Sequence, residues 1–175
     1  MTPPHPLDTF RYCPRCGSAQ FEVYDKRAKR CAACGFTFYA NASTSTVAVI
    51  INRRGEILAT RRAFEPAKGT LDLPGGFVDP GETAHEGVVR EVREELGVRA
   101  RAGELLFSLP NAYPYSGHTV HTCDLFFRVH IDEDAALRAH DDASETLWIP
   151  LHEVRPELFG LTSIRLGVEK ILRMF

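Results

Sequence analysis

The stretch Gly75 to Val98 constrains this chain more than any other, because it dictates a helix with one face sealed and the opposite face acidic. Thr83 to Leu96 carries helix formers throughout. Gly97 follows where a helix end turns into left-handed geometry. Ala84, Val88, Val92 and Leu96 recur every four residues, so this side must bury against another layer. Glu91, Glu94 and Glu95 stand at i, i+3 and i+4 and share the other side. Glu82 begins the helix, and Glu86, Arg90 and Glu94 form a ladder of alternating sign, which needs no function. The pairs Glu91–Glu94 and Glu91–Glu95 are of like charge, each costing on the order of a few tenths of a kcal/mol. Helix stability alone would not select them. A hard divalent cation turns the repulsion into a site, since Mg²⁺ takes oxygen ligands from a few carboxylates and from substrate phosphates. The preceding Leu71–Leu73 reads as a short apolar stretch stopped by a tight turn at Pro74, Gly75 and Gly76, whose glycines also let backbone approach a ligand closely.

Around this helix the sequence is mixed α/β. Thr46–Ile51 and Ile57–Arg62 alternate as two strands about a turn at Asn52 to Gly55. Leu105–Leu109 and Thr119–Ile131 read as strands flanking a turn-rich stretch, Pro110 to Gly117, and Thr146–Ile149 as a further strand. Ser163–Phe175 is an amphipathic helix with Ile164, Val168, Ile171 and Leu172 on one face. Strands alternating with two substantial helices suggest a sheet covered on both sides.

The spacing of Gly76, five residues, Glu82, seven residues, Arg90-Glu91-Val92-Arg93-Glu94-Glu95, one residue, Gly97-Val98 matches the Nudix box. The chain therefore resembles the Nudix hydrolase family, and Leu71 departs from the tryptophan that many members carry there. The resemblance implies a Nudix α/β/α sandwich with a mixed sheet and Mg²⁺-dependent (or Mn²⁺-dependent) hydrolysis of a nucleoside diphosphate linked to another group. It implies Glu91, Glu94 and Glu95 as catalytic metal ligands, a carbonyl of Gly75 as a further ligand, and Arg90 as the residue that pairs with and orients the carboxylates. Which carboxylate serves as base differs among Nudix enzymes and stays open. A homodimer is expected by the same resemblance.

Residues 10–41 hold four of the five cysteines, and the composition shift near Asn41 to Ser45 separates them from a domain over 42–175. Cys13-Pro14-Arg15-Cys16 and Cys31-Ala32-Ala33-Cys34 are two C-x₂-C knuckles 14 residues apart, the ligand set of tetrahedral Zn²⁺. Two disulfides are the alternative, and a reducing compartment disfavours them. Met1 to Phe10 has no charged segment followed by an apolar one, so the expected location is cytoplasmic. Four ligands leave no open position, so the ribbon's zinc is expected to be structural. Cys123 is read as a small core residue. Between Arg11 and Cys34 there are six Lys/Arg and two Asp/Glu. That could touch nucleic acid, but no aromatic residue is interleaved with Lys26, Arg27, Lys29 and Arg30, which favours a solvated hairpin tip.

At 175 residues, 44 % hydrophobic and net charge −2, the chain is a globular protein without bulk bias toward nucleic acid or acidic membranes. Val47 to Ile51 is far too short to span a bilayer. The substrate is expected to be a small nucleotide. NADH pyrophosphatases of the Nudix family carry a four-cysteine ribbon and a motif S-Q-P-W-P-F-P-x-S. Ser108, Pro110, Pro114 and Ser116 agree with it, Tyr113 replaces Phe, and Leu109, Asn111 and Ala112 differ. NADH and ADP-ribose lead, and FAD, a nucleoside triphosphate, a capped RNA, or a ligand-sensing regulator in place of an enzyme remain alternatives. Arg61 and Arg62 could meet phosphate. Phe77, Tyr113 and Tyr115 could stack on a base. Asp142 and Glu145, in a second acidic cluster, are further catalytic candidates by the same resemblance.

Overall fold

The computed structural model describes residues 4–132, 134–138 and 143–175. Two compact units emerge: residues up to 42 together with 114–120, and residues 43–113 together with 121–175.

The first unit is built on an antiparallel sheet of β1 (Phe21–Asp25), β2 (Ala28–Cys31) and β3 (Thr37–Tyr39), paired in that order. Its buried apolar core consists of Cys13, Phe21 and Cys31, with Cys34, Phe36 and Phe38 packed against them. Cores this small usually need a cross-link to fold, which fits a unit completed by a metal. His118, 109 residues on in the sequence, also belongs to this unit: Thr9 Oγ1 lies 3.0 Å from its Nδ1, and Phe10 meets its ring edge-on at 5.2 Å.

The second unit has nine strands and helices among the described residues, two of which reach into the first unit with residues 114–120. These are β4 (Ser43–Val49), β5 (Glu56–Arg62), β6 (Leu71–Asp72), β7 (Gly75–Phe77), α1 (Ala84–Leu96), β8 (Ala100–Tyr115), β9 (His118–Ile131), β10 (Ala143–Pro150) and α2 (Thr162–Met174), with short 3₁₀ turns between β10 and α2. One sheet runs β7-β4-β9-β8 and is mixed, with β4 parallel to β9 and antiparallel to β7; the other runs β10-β5-β6 and is antiparallel. Strand alternation sorts the core into two sides. Val47, Val49, Ile57, Ala59 and Phe126 pack with Ile164, Val168 and Ile171 of α2. Ala48, Ile50, Leu58, Phe127 and Val129 pack with Val88, Val92 and Leu96 of α1. The result is the expected α/β/α sandwich. The apolar stripe foreseen on α1 is the buried one, with Ala84 packed at its edge.

Three expectations about the fold need correction. Cys123, read as a small core residue, is exposed on β9, where strand alternation turns it away from the buried Thr122 and Asp124 on either side. Pro110 to Gly117 is not a loop: β8 runs through both prolines to Tyr115, and only Ser116 and Gly117 turn the chain, both with positive φ. Such a two-residue turn matches strand twist. The prolines are compatible with the place of β8 at the sheet edge, where an N–H turned away from β9 has no ladder partner to lose. The glycine turn before α1 is likewise a strand, β7, whose Gly75, Gly76 and Phe77 face Val47, Thr46 and Ser45. Among the described residues no helix is long and apolar enough to cross a membrane.

Candidate metal and active site

α1 is fixed at both ends before any chemistry is added. Thr83 caps it, its hydroxyl accepting from the Glu86 amide while the Glu86 carboxylate accepts from the Thr83 amide. These bonds hold the Glu86 carboxyl below the ordinary glutamate range, the Thr83 amide contributing most. Glu86 therefore belongs to the cap, not to an ion-pair ladder with Arg90. Gly97 closes the other end at φ 69°, its N–H donating to the Arg93 carbonyl.

Arg90 is the hub of the acidic face. Its Nε and one terminal nitrogen form a fork on Glu82, both at 2.9 Å, and that nitrogen also donates to the Phe77 carbonyl at 2.8 Å. The other terminal nitrogen reaches Glu91 at 2.8 Å and Glu94 at 3.0 Å. Glu82 raises the guanidinium's pKa most, with Glu91 and Glu94 adding to it, and Arg90 in turn holds the Glu82 carboxyl low. One cation thus fixes the side chains of Glu82, Glu91 and Glu94 and ties α1 to β7.

Glu91 and Glu95 both meet the glycine strand. The Gly75 N–H donates to Glu95 Oε2 at 3.3 Å, and Glu95 is buried. A Cβ on Gly76 would stand 2.5 Å from Glu91 Oε1, and one on Gly75 would stand 2.0 Å from the Thr46 carbonyl oxygen. Only glycine lets both carboxylates and this backbone share the space. The donor set is hard oxygen throughout and suits a divalent cation such as Mg²⁺. Glu94 is half-exposed beside them.

The remaining candidates are placed as follows. Arg61 donates to Glu145 at 2.8 Å and to the Gly69 carbonyl at 2.9 Å, so two candidate residues are partners in an exposed ion pair across β5 and β10. Arg62 turns inward to Asp72 and the Pro66 carbonyl. Burial pushes the Asp72 carboxyl up and Arg62 draws it back. Phe77 is exposed on β7. Tyr115 is exposed at the end of β8 within the first unit. The side chain of Tyr113, and Asp142 altogether, lie outside the described residues. Sequence reasoning passed over Asp124, buried on β9, which accepts hydroxyl hydrogen bonds from Ser45, Thr122 and Ser163. Its signal was an aspartate interrupting the apolar run of that strand.

The cysteines form the second centre. The four Sγ atoms lie within 4.8 Å of one another, with Cys13–Cys34 and Cys16–Cys31 at 3.7 Å. A disulfide needs about 2.05 Å, so the thiols are not bridged. Tetrahedral zinc at about 2.3 Å per bond places sulfurs about 3.8 Å apart, and the cluster fits that geometry. Gly17 and Gly35 donate to the carbonyls of Cys13 and Cys31 at 2.8 and 2.9 Å and fold each knuckle back on itself.

A capped helix whose glutamates meet a glycine strand inside an α/β/α sandwich offers oxygen donors that could hold a divalent cation. The NUDIX domain family matches residues 42–167, and the NADH pyrophosphatase zinc ribbon domain matches residues 8–39. The chain belongs to the NUDIX family. It is 29 % identical over 146 residues to the NAD-capped RNA hydrolase NudC of Pseudomonas entomophila, a match covering 83 % of this chain and 50 % of that protein. It is 34 % identical over 114 residues to the protein of the same name from Haemophilus influenzae, covering 64 % and 43 %. The chain spans about half the length, or less, of these relatives. Among solved structures, a NUDIX hydrolase from Nitrosomonas europaea superposes with TM-score 0.74 at 20 % identity, covering 93 % of this chain and 90 % of that one. The MutT protein of Methanosarcina mazei superposes with TM-score 0.63 at 27 % identity, covering 78 % and 97 %.

Proposed function

We propose that the chain is a metal-dependent pyrophosphohydrolase that cleaves the diphosphate of a dinucleotide such as NADH or ADP-ribose and releases AMP. The observation that carries this reading is the meeting of the Glu91 and Glu95 carboxylates on the Gly75–Gly76 backbone. Glu91, Glu94 and Glu95, with a carbonyl of Gly75, would hold Mg²⁺ or Mn²⁺, which supplies charge neutralisation at the diphosphate and a bound water of lowered pKa. Arg90 keeps three carboxylates in place, so their geometry is set before substrate arrives. A carboxylate of the set accepts the proton of the attacking water. Phe77, exposed on β7 next to the glycines, is the candidate for contact with a base, and Arg61, once released from Glu145, the candidate for phosphate. A homodimer and a cytoplasmic location belong to the same reading.

A second reading is favoured by the relatives named for NAD-capped RNA: the same diphosphate, cleaved at the 5′ end of an RNA. One experiment separates the two. Wild type and Glu95→Gln are assayed with Mg²⁺ on NADH, NAD⁺, ADP-ribose, FAD and NAD-capped RNA, with products identified. Release of AMP from a free dinucleotide, lost by at least about a hundredfold in the variant while its melting curve holds, supports the first reading. Turnover of the capped RNA alone moves the substrate to RNA. Wild-type rates in the variant would overturn the metal-ligand assignment.

A further inference from the structure

The ribbon unit carries a feature that hydrolysis does not use. Residues 1–42 hold six Lys/Arg against three Asp/Glu, while the other 133 residues hold fifteen against twenty. The chain's small net charge therefore conceals a basic unit attached to an acidic one. The sheet brings the basic residues against aromatic rings that lie apart from them in sequence. The Arg30 guanidinium stands over the Tyr24 ring at 5.6 Å, and that of Arg27 over the Tyr39 ring at 5.4 Å. Both rings are exposed, Tyr24 at 56 % and Tyr39 at 41 %. Asp25, next to Tyr24, and Tyr39 both pair with Ala28, so the two rings come from the strands on either side of the central one. A groove of about 260 Å³ lies beside Tyr24 and Arg30. Glu22, paired with Arg30 across the strands, is the acidic residue lining it.

Burial does not explain these tyrosines, and a fold does not need two exposed rings each backed by a guanidinium. A ring held from one side by an arginine keeps its orientation and offers its other side to a planar partner, while the arginine adds positive charge next to it. Rings alternating with cations on one surface are how proteins hold single-stranded nucleic acid, by stacking on bases and pairing with phosphates, without reading sequence.

We infer that the outer face of the ribbon sheet, centred on the Tyr24–Arg30 and Tyr39–Arg27 pairs, is a binding surface for single-stranded RNA. Charge complementarity selects a polyanion, and the rings select unpaired bases over duplex. The choice of RNA over DNA rests on the capped-RNA reading above; the surface itself does not depend on hydrolysis.

The test uses the full zinc-loaded chain and a 3′-fluorescein 12-nucleotide RNA with a 5′-hydroxyl, without added Mg²⁺. This probe has no diphosphate to cleave, so failure of the hydrolytic reading and failure of this one are read separately. Fluorescence anisotropy should give saturable binding at low salt. Tyr24→Ala with Tyr39→Ala should weaken it at least tenfold, and Tyr24→Phe with Tyr39→Phe should keep it. Arg27→Gln with Arg30→Gln should lower the slope of log affinity against log salt by about 1.4, for two lost phosphate contacts. Zinc content and Mg²⁺-dependent hydrolysis of a dinucleotide should be unchanged in the phenylalanine pair and show that the ribbon is folded in the others. Absence of saturable binding by wild type, or wild-type affinity in the alanine pair, overturns the inference. So does an alanine pair that changes the oligomeric state and not RNA affinity, which would make this face a contact between copies. Tighter binding of the DNA of the same sequence overturns the choice of RNA.

Discussion

Replacing Gly76 with alanine should separate catalysis from folding. The added Cβ would lie 2.5 Å from Glu91 Oε1 and 2.6 Å from its Cδ, against 3.4 Å for ordinary contact, so the carboxylate must withdraw by roughly 0.9 Å. It can do so, because the obstacle is the far end of a flexible side chain and no backbone stands in the way. A displacement of about 1 Å at a reacting centre costs on the order of a hundredfold in rate. Gly76→Ala is therefore expected to lower kcat about a hundredfold with a melting temperature near wild type. Gly75→Ala is the control of opposite character. Its Cβ would lie 2.0 Å from the Thr46 carbonyl oxygen, and φ is +151°, so the β4–β7 pairing itself must open and stability must fall. The assays are steady-state hydrolysis with Mg²⁺ on the best substrate of the panel and thermal unfolding of both variants. A Gly76→Ala enzyme within threefold of wild-type kcat, with its fold intact, would refute the placing of Glu91 against the glycine strand as a metal ligand.

Arg62→Met should destabilise the chain by about 3–5 kcal/mol in denaturant unfolding, because it strands the Asp72 carboxylate in the interior. Burial already raises that carboxyl's pKa, so the loss should be largest at neutral pH and shrink as acid protonates Asp72; a loss that grows in acid would contradict it. Thr83→Ala should cost about 1 kcal/mol by removing the cap of α1. Since the Glu86 carboxyl is held low, its share of the cap is present above about pH 4.3 and lost as pH falls through the folded value, so Glu86→Gln should flatten the acid limb of stability against pH. Removing zinc with a strong chelator should release one ion per chain and abolish the near-ultraviolet signal of the ribbon's aromatic residues, and persistence of that signal would show that Cys13, Phe21 and Cys31 form a self-sufficient core.

The parts legible in the sequence were those with a period or a fixed spacing. The stripe of Val88, Val92 and Leu96 fixed the buried side of α1, and Ile164, Val168 and Ile171 did the same for α2. The paired knuckles gave the thiol cluster. What escaped reading depends on neighbours. Pro110 and Pro114 look like loop residues until β8 is seen to be an edge strand. Gly75 and Gly76 look like a turn until β4 is found opposite them. Arg62 resembles its neighbour Arg61, yet strand alternation sends one to Asp72 in the interior and the other to Glu145 at the surface. The rings of Tyr24 and Tyr39 are not interleaved with Lys26–Arg30 in sequence, and their contacts with Arg30 and Arg27 arise across strands, which leaves no local pattern.

The joining of His118 to Thr9 sets a schedule on the ribosome. These partners are 109 residues apart, so at about 5–20 residues per second Thr9 waits roughly 5–20 s for His118 to be made. The zinc knuckles are complete once Cys34 has been added, so metal capture can come early, while the contacts of residues 114–120 come late. Division of the gene after residue 42 would likewise produce an N-terminal piece without the hairpin tip that completes its unit.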